Sequence, residues 1–530
     1  MPKPSSGGGL VTDSQREKLL KAGISLAPGA ANQAYMEQYY LYLAMAKPED
    51  KLFLTYSSMD PSGDSKAPSY ILGRIEKIFP RLKRDDDPAG DAVYSVNEAK
   101  ERFIELLQDL DEQEPGQEMA AIYEVLKEMD QAARYLDAYF YHNEEGNLDR
   151  HLTSLLYGKE LENSVTRVEK FSGCAFAHFL QYGLKLRERL VHEILPMDMG
   201  QVFHRTLQFV GEEGSWDWES DEERDRFVDS LVERALDEDP DKKEIFESSS
   251  RNRYTKERIK RMAKRAVWAV EQQIKRGEFT PYEYELGFSA DDGLSCANLA
   301  LKDGTKMKFT GVIDRVDCYE DDENLYLKII DYKSGNMQFD FTKILNGLQV
   351  QLVVYMNAIL ELEGKKHPEK RMIPAGMFYF HVDDPVIAPK TDGEPEMEVL
   401  KNLQLRGVVN EEFGLVEHLE QEDAYGIVTL PVTRTKTGYK KGSALLNTTE
   451  FKNLGQKVEE KMKQMGEAMM DGDISIRPYE YQTMPCDYCA FKSICAYEPK
   501  LTKPRKLTKI GLVEAKQILA EGKETDDALD

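Results

Sequence analysis

Two aspartates and a lysine in one short segment are the residues whose types and spacing could do chemistry. The segment "GVIDRVDCYEDDENLYLKIIDYKSG", residues 311–335, reads as two β-strands around an acidic turn. Counting outward from the middle of "EDDEN" places Asp314 directly opposite Asp331, so that their Cβ atoms would lie about 5 Å apart. Because side chains alternate along a strand, Lys333 shares a face with Asp331.

The facing carboxylates predict a divalent cation between them. Like charges opposite each other destabilise a sheet, whereas Mg²⁺, or Mn²⁺ in its place, binds carboxylate oxygens and keeps several waters. Such a cation can generate a hydroxide nucleophile and neutralise phosphate charge, with Lys333 beside the attacking water or the developing oxyanion. The alternative is an exposed hairpin on which Asp and Lys form a cross-strand ion pair, and the spacing alone leaves both interpretations open.

The neighbouring segments predict the elements that hold this hairpin. Helical patterns continue to about residue 277, and the strand-like "YEYELGF" precedes the hairpin. A long helix, "FTKILNGLQVQLVVYMNAILELEG", ends at Gly364 and is followed by the strand "RMIPAGMFYFHV". Helix, hairpin, helix and strand in this order predict an α/β nuclease-like core with helical additions.

Length and composition indicate a multidomain protein of the cytoplasm. The chain has 530 residues, of which 41% are hydrophobic and 31% charged, which suits two to four soluble domains. Its N-terminus has no signal-like apolar segment and no apolar run approaches the length of a membrane span, which argues against secretion and a membrane partner. Six cysteines are too few for a disulfide scaffold, so we expect reduced thiols.

Charge is strongly segregated along the chain. The formal net charge of −25 argues by itself against a nucleic-acid partner, but residues 251–276 carry ten basic residues against two acidic ones. An apolar stripe predicts a helix there, made by Ile259, Ala263, Ala266, Val270 and Ile274. A basic helix is typical of phosphate-backbone contact, and its candidate DNA-binding residues are Arg258, Arg261 and Arg265. A solvated helix face is the alternative.

Three cysteines lie close together near the C-terminus. The run "MPCDYCAFKSIC" holds Cys486, Cys489 and Cys495, and the chain lacks the second C-x2-C pair of a zinc ribbon. Three clustered thiols indicate a soft-metal site that needs one more ligand. The remaining candidates are Cys174, Cys296 and Cys318, and the spacing does not choose among them.

The hairpin and the helix after it resemble a known nuclease family. "GVIDRVD" and "LKIIDYKSG", followed by "GLQVQLVVYMNAIL", are similar to the PD-(D/E)xK nuclease domain of the RecB/AddB type, and more narrowly to the C-terminal part of the AddB-type chains of bacterial AddAB helicase–nucleases. The resemblance assigns cation binding to His204, Asp314, Asp331 and the Tyr332 carbonyl. It assigns catalysis to Asp314, Asp331, Lys333, Gln351 and Tyr355, with the last two orienting the site or contacting DNA. Without it, a histidine in "MGQVFH" is more often a packed core residue.

The same resemblance implies a 4Fe–4S cluster. Members of the family carry one cysteine before the nuclease core and three after it, and "VEKFSGCAFAHFLQYGLKLRER" matches the upstream element. Cys174 is therefore the implied fourth ligand beside Cys486, Cys489 and Cys495. Zinc in the same four thiolates is the alternative. Joining distant segments would restrict the unfolded chain, so the cluster is better understood as a staple than as a redox centre.

We expect four regions along the chain. Residues 1–90 resemble the end of a superfamily 1 helicase-like domain, 91–163 read as a helical connector, 164–500 as the nuclease domain, and 501–530 as a polar tail. In "YLYLAMAKPEDKLFLTYSS" the position of the helicase motif arginine is Lys47. No G-x-x-x-x-G-K-[ST] loop occurs in the sequence, so we do not expect ATP-dependent unwinding by this polypeptide.

These patterns lead to one expected function and two alternatives. The resemblance implies a metal-dependent DNA exonuclease that cuts single strands, the 5′-terminated strand in this family, during double-strand-break processing and recombinational repair. An AddA-like helicase–nuclease chain would be its partner in a heterodimer. The alternatives are a non-catalytic scaffold that binds DNA or a partner, and a stand-alone nuclease of a defence system.

Overall fold

The chain folds into two compact units. The computed structural model describes residues 11–24, 26, 30–59, 65–82, 95–108, 110, 116–129, 132–141, 146–189, 191–214, 216–385, 395–423, 425–499 and 502–521. The units are Met1–Tyr139 and Phe140–Asp530. The boundary between residues 139 and 140 lies within the predicted helical connector, residues 91–163.

The first unit is helical in its described residues. Its helices are α1 (Asp13–Lys21), α2 (Ala30–Ala46), α3 (Tyr70–Ile78), α4 (Val96–Gln108), α5 (Gln117–Glu128) and α6 (Ala132–Tyr139). Ala99, Phe103 and Leu107 recur every fourth residue on α4, so one face of that helix is apolar. This face packs against α5 and α6 around the fully buried Phe103.

The described part of the second unit contains twelve strands, and eight of them form its main mixed sheet. Its strands are β1 (Leu161–Ser164), β2 (Thr280–Phe288), β3 (Asn298–Ala300), β4 (Lys306–Glu320), β5 (Asn324–Lys333), β6 (Arg371–His381), β7 (Arg406–Asn410), β8 (Arg434–Thr435), β9 (Gly438–Tyr439), β10 (Leu445–Leu446), β11 (Tyr479–Glu480) and β12 (Arg505–Lys506). The main sheet runs β1-β4-β5-β6-β7-β10, and β2 and β3 also pair with β4. The pairs β8–β9 and β11–β12 form two small separate sheets.

Fourteen helices surround this sheet in the described part of the second unit. They are α7 (Arg150–Tyr157), α8 (Val165–Gly173), α9 (Ala175–His178), α10 (Pro196–Glu213), α11 (Asp221–Asp237), α12 (Pro240–Glu247), α13 (Ser250–Lys275), α14 (Phe341–Leu345), α15 (Gln351–Lys366), α16 (Pro395–Asn402), α17 (Leu415–Leu419), α18 (Thr448–Met470), α19 (Lys492–Cys495) and α20 (Leu512–Glu521). A π-helical turn, Phe179–Gly183, follows α9. The predicted α/β nuclease-like core is confirmed.

Strand β5 is the centre of the fold because both of its faces are covered. Leu325, Leu327 and Ile329 belong to the apolar core that includes residues of α15 and α18. Tyr326, Ile330 and Tyr332 alternate with them and belong to the opposite core, which includes residues of α10, α11 and α13. The strand β6 lies parallel to β5, and α15 makes the crossover between them. Asp331 therefore lies on a strand that the fold holds from both sides.

The predicted long helix before β6 is two helices. It is interrupted after Leu345, and the second helix begins at Gln351 and ends at Lys366 rather than at Gly364. Gly347 has a φ of +74°, a conformation that L side chains rarely adopt. A Cβ at that position would also lie 2.8 Å from the Met465 methyl carbon. The turn at Gly347 thus redirects the chain so that α15 starts beside β5.

The prediction of a polar C-terminal tail is wrong for most of its described residues. Arg505–Lys506 pairs in parallel with Tyr479–Glu480 as β12 and β11. On α20, Ala515 and Leu519 are fully buried in the core that contains α18. Two small apolar contacts at helical spacing were too weak a pattern to separate this helix from a polar tail.

The helices of the described ranges are too short or too polar to span a membrane. None of them has the 18-residue apolar window that crossing a membrane requires.

Candidate active site

Three adjacent strands bring three carboxylates into one row. In the β4–β5 ladder Arg315 pairs with Ile330, so the next residues outward are Asp314 and Asp331, and the predicted register of the hairpin is confirmed. On the other side of β4, Arg315 pairs with Tyr284 and Ile313 with Leu286, which places Glu285 opposite Asp314. The Tyr332 amide donates a hydrogen bond to Asp314 Oδ2 at 2.7 Å. The sheet itself therefore sets the spacing of the acidic groups.

His204 reaches the same row from α10. Its Nδ1 lies 3.3 Å from Asp314 Oδ2 and 3.9 Å from Glu285 Oε1. Within the described part of the chain, His204, Glu285 and Asp314 are the group of three whose ligand atoms all lie within 4.8 Å. Burial lowers the pKa of His204, but hydrogen bonds to Asp314 and Glu285 outweigh it and raise the pKa to about 10. A protonated imidazole balances the carboxylates here, and a cation would have to displace that proton.

Asp331 is the most deeply buried acid of the row. It is 1% exposed, and apart from the Lys333 ammonium no described donor hydrogen-bonds to either of its oxygens. Burial raises its pKa to about 7, and the charge of Asp314 adds to the effect, although Lys333 opposes it. A buried carboxylate without hydrogen bonds is costly unless a counter-charge is present. The donor set of carboxylates and an imidazole fits a hard divalent cation.

Lys333 lies on the side of the row that faces α15. Its Nζ is 2.5 Å from Asp331 Oδ2, as an ion pair, and donates to Gln351 Oε1 at 3.0 Å. The Gln351 amide donates in turn to the Tyr355 hydroxyl at 3.1 Å. The side chain of Lys333 remains 24% exposed, so a substrate can reach it. All seven residues that the resemblance assigned to the site are thus brought together around Asp314 and Asp331.

Glu285 is the member of the site that sequence reasoning missed. It has a φ of +47°, which is rare for a residue with a side chain and is found where surrounding structure holds the backbone. The strand "YEYELGF" was predicted, but which of its residues faces Asp314 depends on pairing between distant segments and on an irregularity between Pro281 and Glu283. The acids of this predicted strand, just before the hairpin, were the signal available.

A shallow cleft gives access to this row. It has a volume of about 550 Å³ and is lined by Met197, Gly200, Gln201, His204, Arg205, Gln208 and Glu285. Apart from Glu285, the polar residues of its lining are neutral or basic. The cleft therefore opens the cation site to a solvent-borne substrate.

The four cysteines implied by the resemblance line a separate cavity. Cys174, Cys486, Cys489 and Cys495 all contribute to its wall, which encloses about 180 Å³. Burial raises the pKa of Cys174, and burial together with the neighbouring thiols raises that of Cys486 to about 11. Lys170 and Lys492 also line it. A metal group in this cavity would deprotonate the thiols, and adjacent cations favour thiolates.

The two other cysteines lie elsewhere. The thiol pKa of Cys296 is raised to about 12 by burial and by the nearby Glu361 carboxylate. Cys318, on β4, packs with Cys296 against the core of α15 and α18. Both are thus separate from the cysteine cavity, as apolar thiols in a protein interior commonly are.

The basic segment is a helix, α13, whose charges are largely engaged within the protein. Its predicted apolar stripe is buried from Ile259 to Val270. Arg261 Nε lies 2.7 Å from Asp384 Oδ2, and Arg265 lies 4.0 Å from the same carboxylate. Other basic residues on it pair with acids on α11: Lys256 and Lys260 with Glu233, and Lys264 with Asp229. Arg258 is exposed. Most of the positive charge on α13 is therefore paired with acidic residues of this protein and is not left free to contact phosphates.

Comparison with known proteins agrees with this site. A profile of the PD-(D/E)XK nuclease superfamily matches residues 162–496. The B subunit of an ATP-dependent helicase/deoxyribonuclease from Lachnoclostridium phytofermentans is 34% identical over 95% of this chain and 44% of its own length. Proteins of the same name from Alkaliphilus oremlandii and Clostridium perfringens are 29% and 32% identical over 94% and 95% of this chain.

The chain spans less than half the length of these relatives, 44% to 46% of each. The superfamily match, in contrast, lies wholly within this chain and includes the strands that carry Glu285, Asp314 and Asp331. It covers more than half of the 530 residues. The chain belongs to the PD-(D/E)XK nuclease superfamily.

Proposed function

We propose that this chain is a metal-dependent DNA nuclease that cuts single strands. The observation that carries the proposal is the pair of buried, facing carboxylates Asp314 and Asp331, of which Asp331 has the Lys333 ammonium as its described partner at 2.5 Å. Lys333 supplies one positive charge, a divalent cation would balance the remaining carboxylates, and cation, lysine and facing acids are the parts that phosphodiester hydrolysis uses. An exposed hairpin face, the alternative interpretation, does not fit the burial of both aspartates.

Each group has a role in that reaction. His204, Glu285 and Asp314, whose ligand atoms lie within 4.8 Å of one another, would hold a divalent cation together with Asp331 and the Tyr332 carbonyl. When bound, the cation would supply positive charge to a phosphate and lower the pKa of a water. The Lys333 ammonium stabilises charge that develops on the phosphate oxygens. Gln351 holds Lys333 in place, and its own amide is oriented by the contact with Tyr355. Mg²⁺ and Mn²⁺ both suit these oxygen-rich ligands.

We further propose that the cysteine cavity binds a 4Fe–4S cluster. Its four cysteines line one cavity of about 180 Å³, and four thiolates are the ligand set that such a cluster commonly takes. All six cysteines are free, which suits a reducing compartment such as the cytoplasm.

The relatives' names support a place for this activity in DNA-end processing. They are the B subunits of ATP-dependent helicase/deoxyribonucleases. We propose that this chain likewise works with an AddA-like motor protein in double-strand-break repair, and that the first unit is the end of a helicase-like domain. A non-catalytic scaffold would not need Lys333 beside Asp331. A stand-alone defence nuclease would cut without any motor protein.

The test is cleavage of end-labelled single-stranded DNA with Mg²⁺, with and without a co-expressed motor protein. Asp331→Asn keeps the shape of the side chain and removes its charge, so we expect loss of cleavage with DNA binding retained. Asp322→Asn, in the exposed turn of the same hairpin, is the matched control and should cut normally. Normal cleavage by Asp331→Asn would refute the cation site. Equal cleavage with and without the motor protein would favour a stand-alone defence nuclease.

A further inference from the structure

Helix α8 contacts both the cysteine cavity and the start of α15, whose Gln351 accepts a hydrogen bond from Lys333. Cys174 directly follows its last residue, Gly173. Two side chains of α8, one turn apart, reach the turn before α15. The Ser172 hydroxyl donates to the Asn346 carbonyl at 2.6 Å, and the Glu169 carboxylate accepts from the Val350 and Gln351 amides at 2.7 and 3.3 Å. One short helix thus adjoins both candidate sites.

The Glu169 carboxylate takes the place of a local helix cap. The first amides of any α-helix lack partners within the helix, and a nearby side-chain oxygen usually accepts from them. The residue at the cap position of α15 is Val350, which has no side chain that can do so. A carboxylate at a helix N-terminus is also favoured by the helix dipole. Glu169 supplies this cap from 181 residues away in the sequence.

The capped turn is the one that carries Gln351. Gln351 is the first residue of α15, and its side chain accepts from Lys333 Nζ. The position of that turn therefore sets the position of the amide, and the amide sets the position of the ammonium beside Asp331. Displacements of about 1 Å in such contacts can cost up to about 10²-fold in rate.

We propose that Glu169 is a positioning residue of the nuclease reaction, which places Lys333 by fixing the first turn of α15 and connects that turn to the wall of the cysteine cavity. The proposal rests on the proposed nuclease function. Glu169 itself lies in the wall of the cysteine cavity rather than in the row of acids. Burial raises its pKa to about 7, while the two amide hydrogen bonds lower it. The two amide hydrogen bonds therefore offset part of the cost of burying the Glu169 carboxylate.

Glu361 provides a matched control on the same helix. Near the other end of α15, its carboxylate accepts from the Ser295 and Cys296 amides at 2.7 and 3.2 Å, so it makes the same kind of contact. It is ten residues beyond Gln351 along the helix, and its ion pair is with Lys365. A loss of stability alone should result from changing either glutamate, whereas an effect on Lys333 should result from changing only Glu169.

The experiment compares Glu169→Ala, Glu169→Gln and Glu361→Ala in the full chain, by steady-state cleavage of single-stranded DNA with Mg²⁺. For Glu169→Ala we expect kcat to fall about tenfold or more with KM within about threefold, because the substrate-binding surface is unchanged. Glu169→Gln keeps an oxygen that can accept from the amides and should recover most of kcat. Glu361→Ala should keep kcat near the starting value.

Amide hydrogen exchange gives a readout that does not depend on cleavage. Glu169→Ala should speed exchange in peptides covering residues 346–355, and Glu361→Ala should do so only around residues 293–298. Unchanged exchange at 346–355, unchanged kcat in Glu169→Ala, or an equal loss of kcat in both alanine variants would each overturn the proposal. If the starting protein does not cut DNA, the proposed function fails by itself, and the exchange data still decide whether Glu169 fixes the turn.

Discussion

The row of acids and the cysteine cavity are two candidate metal sites built in opposite ways. Glu285, Asp314 and Asp331 lie on neighbouring strands, and backbone hydrogen bonds fix their spacing. The cysteines come from segments on either side of the nuclease core, 174 and 486–495, and the latter lie beside short elements and an Ala496 with φ +47°. The first site is formed by the sheet, whereas the second brings distant parts of the chain together.

This difference teaches which property each metal would govern. A site whose ligands the sheet already positions forms without a cation, so metal removal should stop the chemistry while the fold persists. A site whose ligands lie on separate segments restricts the unfolded chain when they are joined, so metal removal should loosen the fold. The pH dependence of stability and the effects of mutations should also differ between the two regions.

The largest expected effect is that of divalent cation removal. Chelation of Mg²⁺ should lower cleavage of single-stranded DNA by about 10³-fold or more, because the cation supplies nucleophile activation and charge neutralisation together. The melting temperature should change by no more than a few degrees, and adding Mg²⁺ back should restore the rate. A large fall in melting temperature on chelation would contradict the idea that the sheet alone builds this site.

Loss of the cysteine cavity should have the opposite profile. Cys174→Ala should lose iron from anaerobically purified protein, and opening a loop this long should lower the free energy of unfolding by about 5 to 6 kcal/mol in a cross-link model. Iron analysis, absorption near 400 nm and limited proteolysis measure this. Cys296→Ala is the control and should keep its iron. Full iron retention by Cys174→Ala would show that this thiol is not a ligand.

Lys333→Ala should sharpen the distinction within the carboxylate site. We expect kcat to fall about 10²-fold with DNA affinity nearly unchanged, because the ammonium acts on charge that develops during the reaction. Calorimetric binding of Mn²⁺ should persist, since Lys333 is not a ligand. Loss of Mn²⁺ binding together with activity would instead give Lys333 a structural role in the cation site.

The two regions should respond to pH with opposite signs. His178, buried on α9 beside the cysteine cavity, accepts from Arg167 Nε at 3.1 Å, and burial lowers its pKa to about 3. The unfolded chain then binds the additional proton, so stability should fall as pH drops below about 6.5, by up to about 1.4 kcal/mol per pH unit. The pKa of Asp331 is raised, so without a cation this carboxyl should instead lower the stability of the folded protein as the pH rises toward 7.

Denaturant unfolding at pH 5 and pH 8 checks both signs. His178→Gln keeps a hydrogen-bond acceptor but cannot be protonated, so it should be less sensitive to acid than the starting protein. Asp331→Asn should remove the loss at higher pH. Identical pH profiles for His178→Gln and the starting protein would reject the assignment to His178.

The smallest expected effect is at the basic helix α13. If Arg258, Arg261 and Arg265 all contacted phosphates, neutralising them together would lower the slope of log affinity against log salt by about one unit per lost contact. Because Arg261 and Arg265 share Asp384, we expect a change of about one unit, from Arg258. A change near three units would mean that DNA displaces Asp384 from both arginines.

Local patterns predicted the hairpin, and tertiary contacts decided what was missed. Strand period and turn position were enough to place Asp314 opposite Asp331, because both act over a few residues. Glu285 depends on pairing across the sheet, and Glu169 caps a helix 181 residues away. The break at Gly347 and the docking of α20 each depend on one or two buried contacts. No local pattern contains such information. The roles of the site residues remain predictions that the experiments above test.

The length of β4 has a consequence for synthesis. Its first half pairs with β1, whose Leu161 lies 146 residues before its partner Met307. At ribosomal rates β1 would be synthesised roughly 7 to 30 s before that partner exists. During this interval the buried side chain of Leu161 and the free edge of β1 would be exposed, which makes the nascent chain a substrate for chaperones. Cys486, Cys489 and Cys495 are synthesised later still, so the proposed cluster could join them to Cys174 only after the strands of the nuclease core have been made.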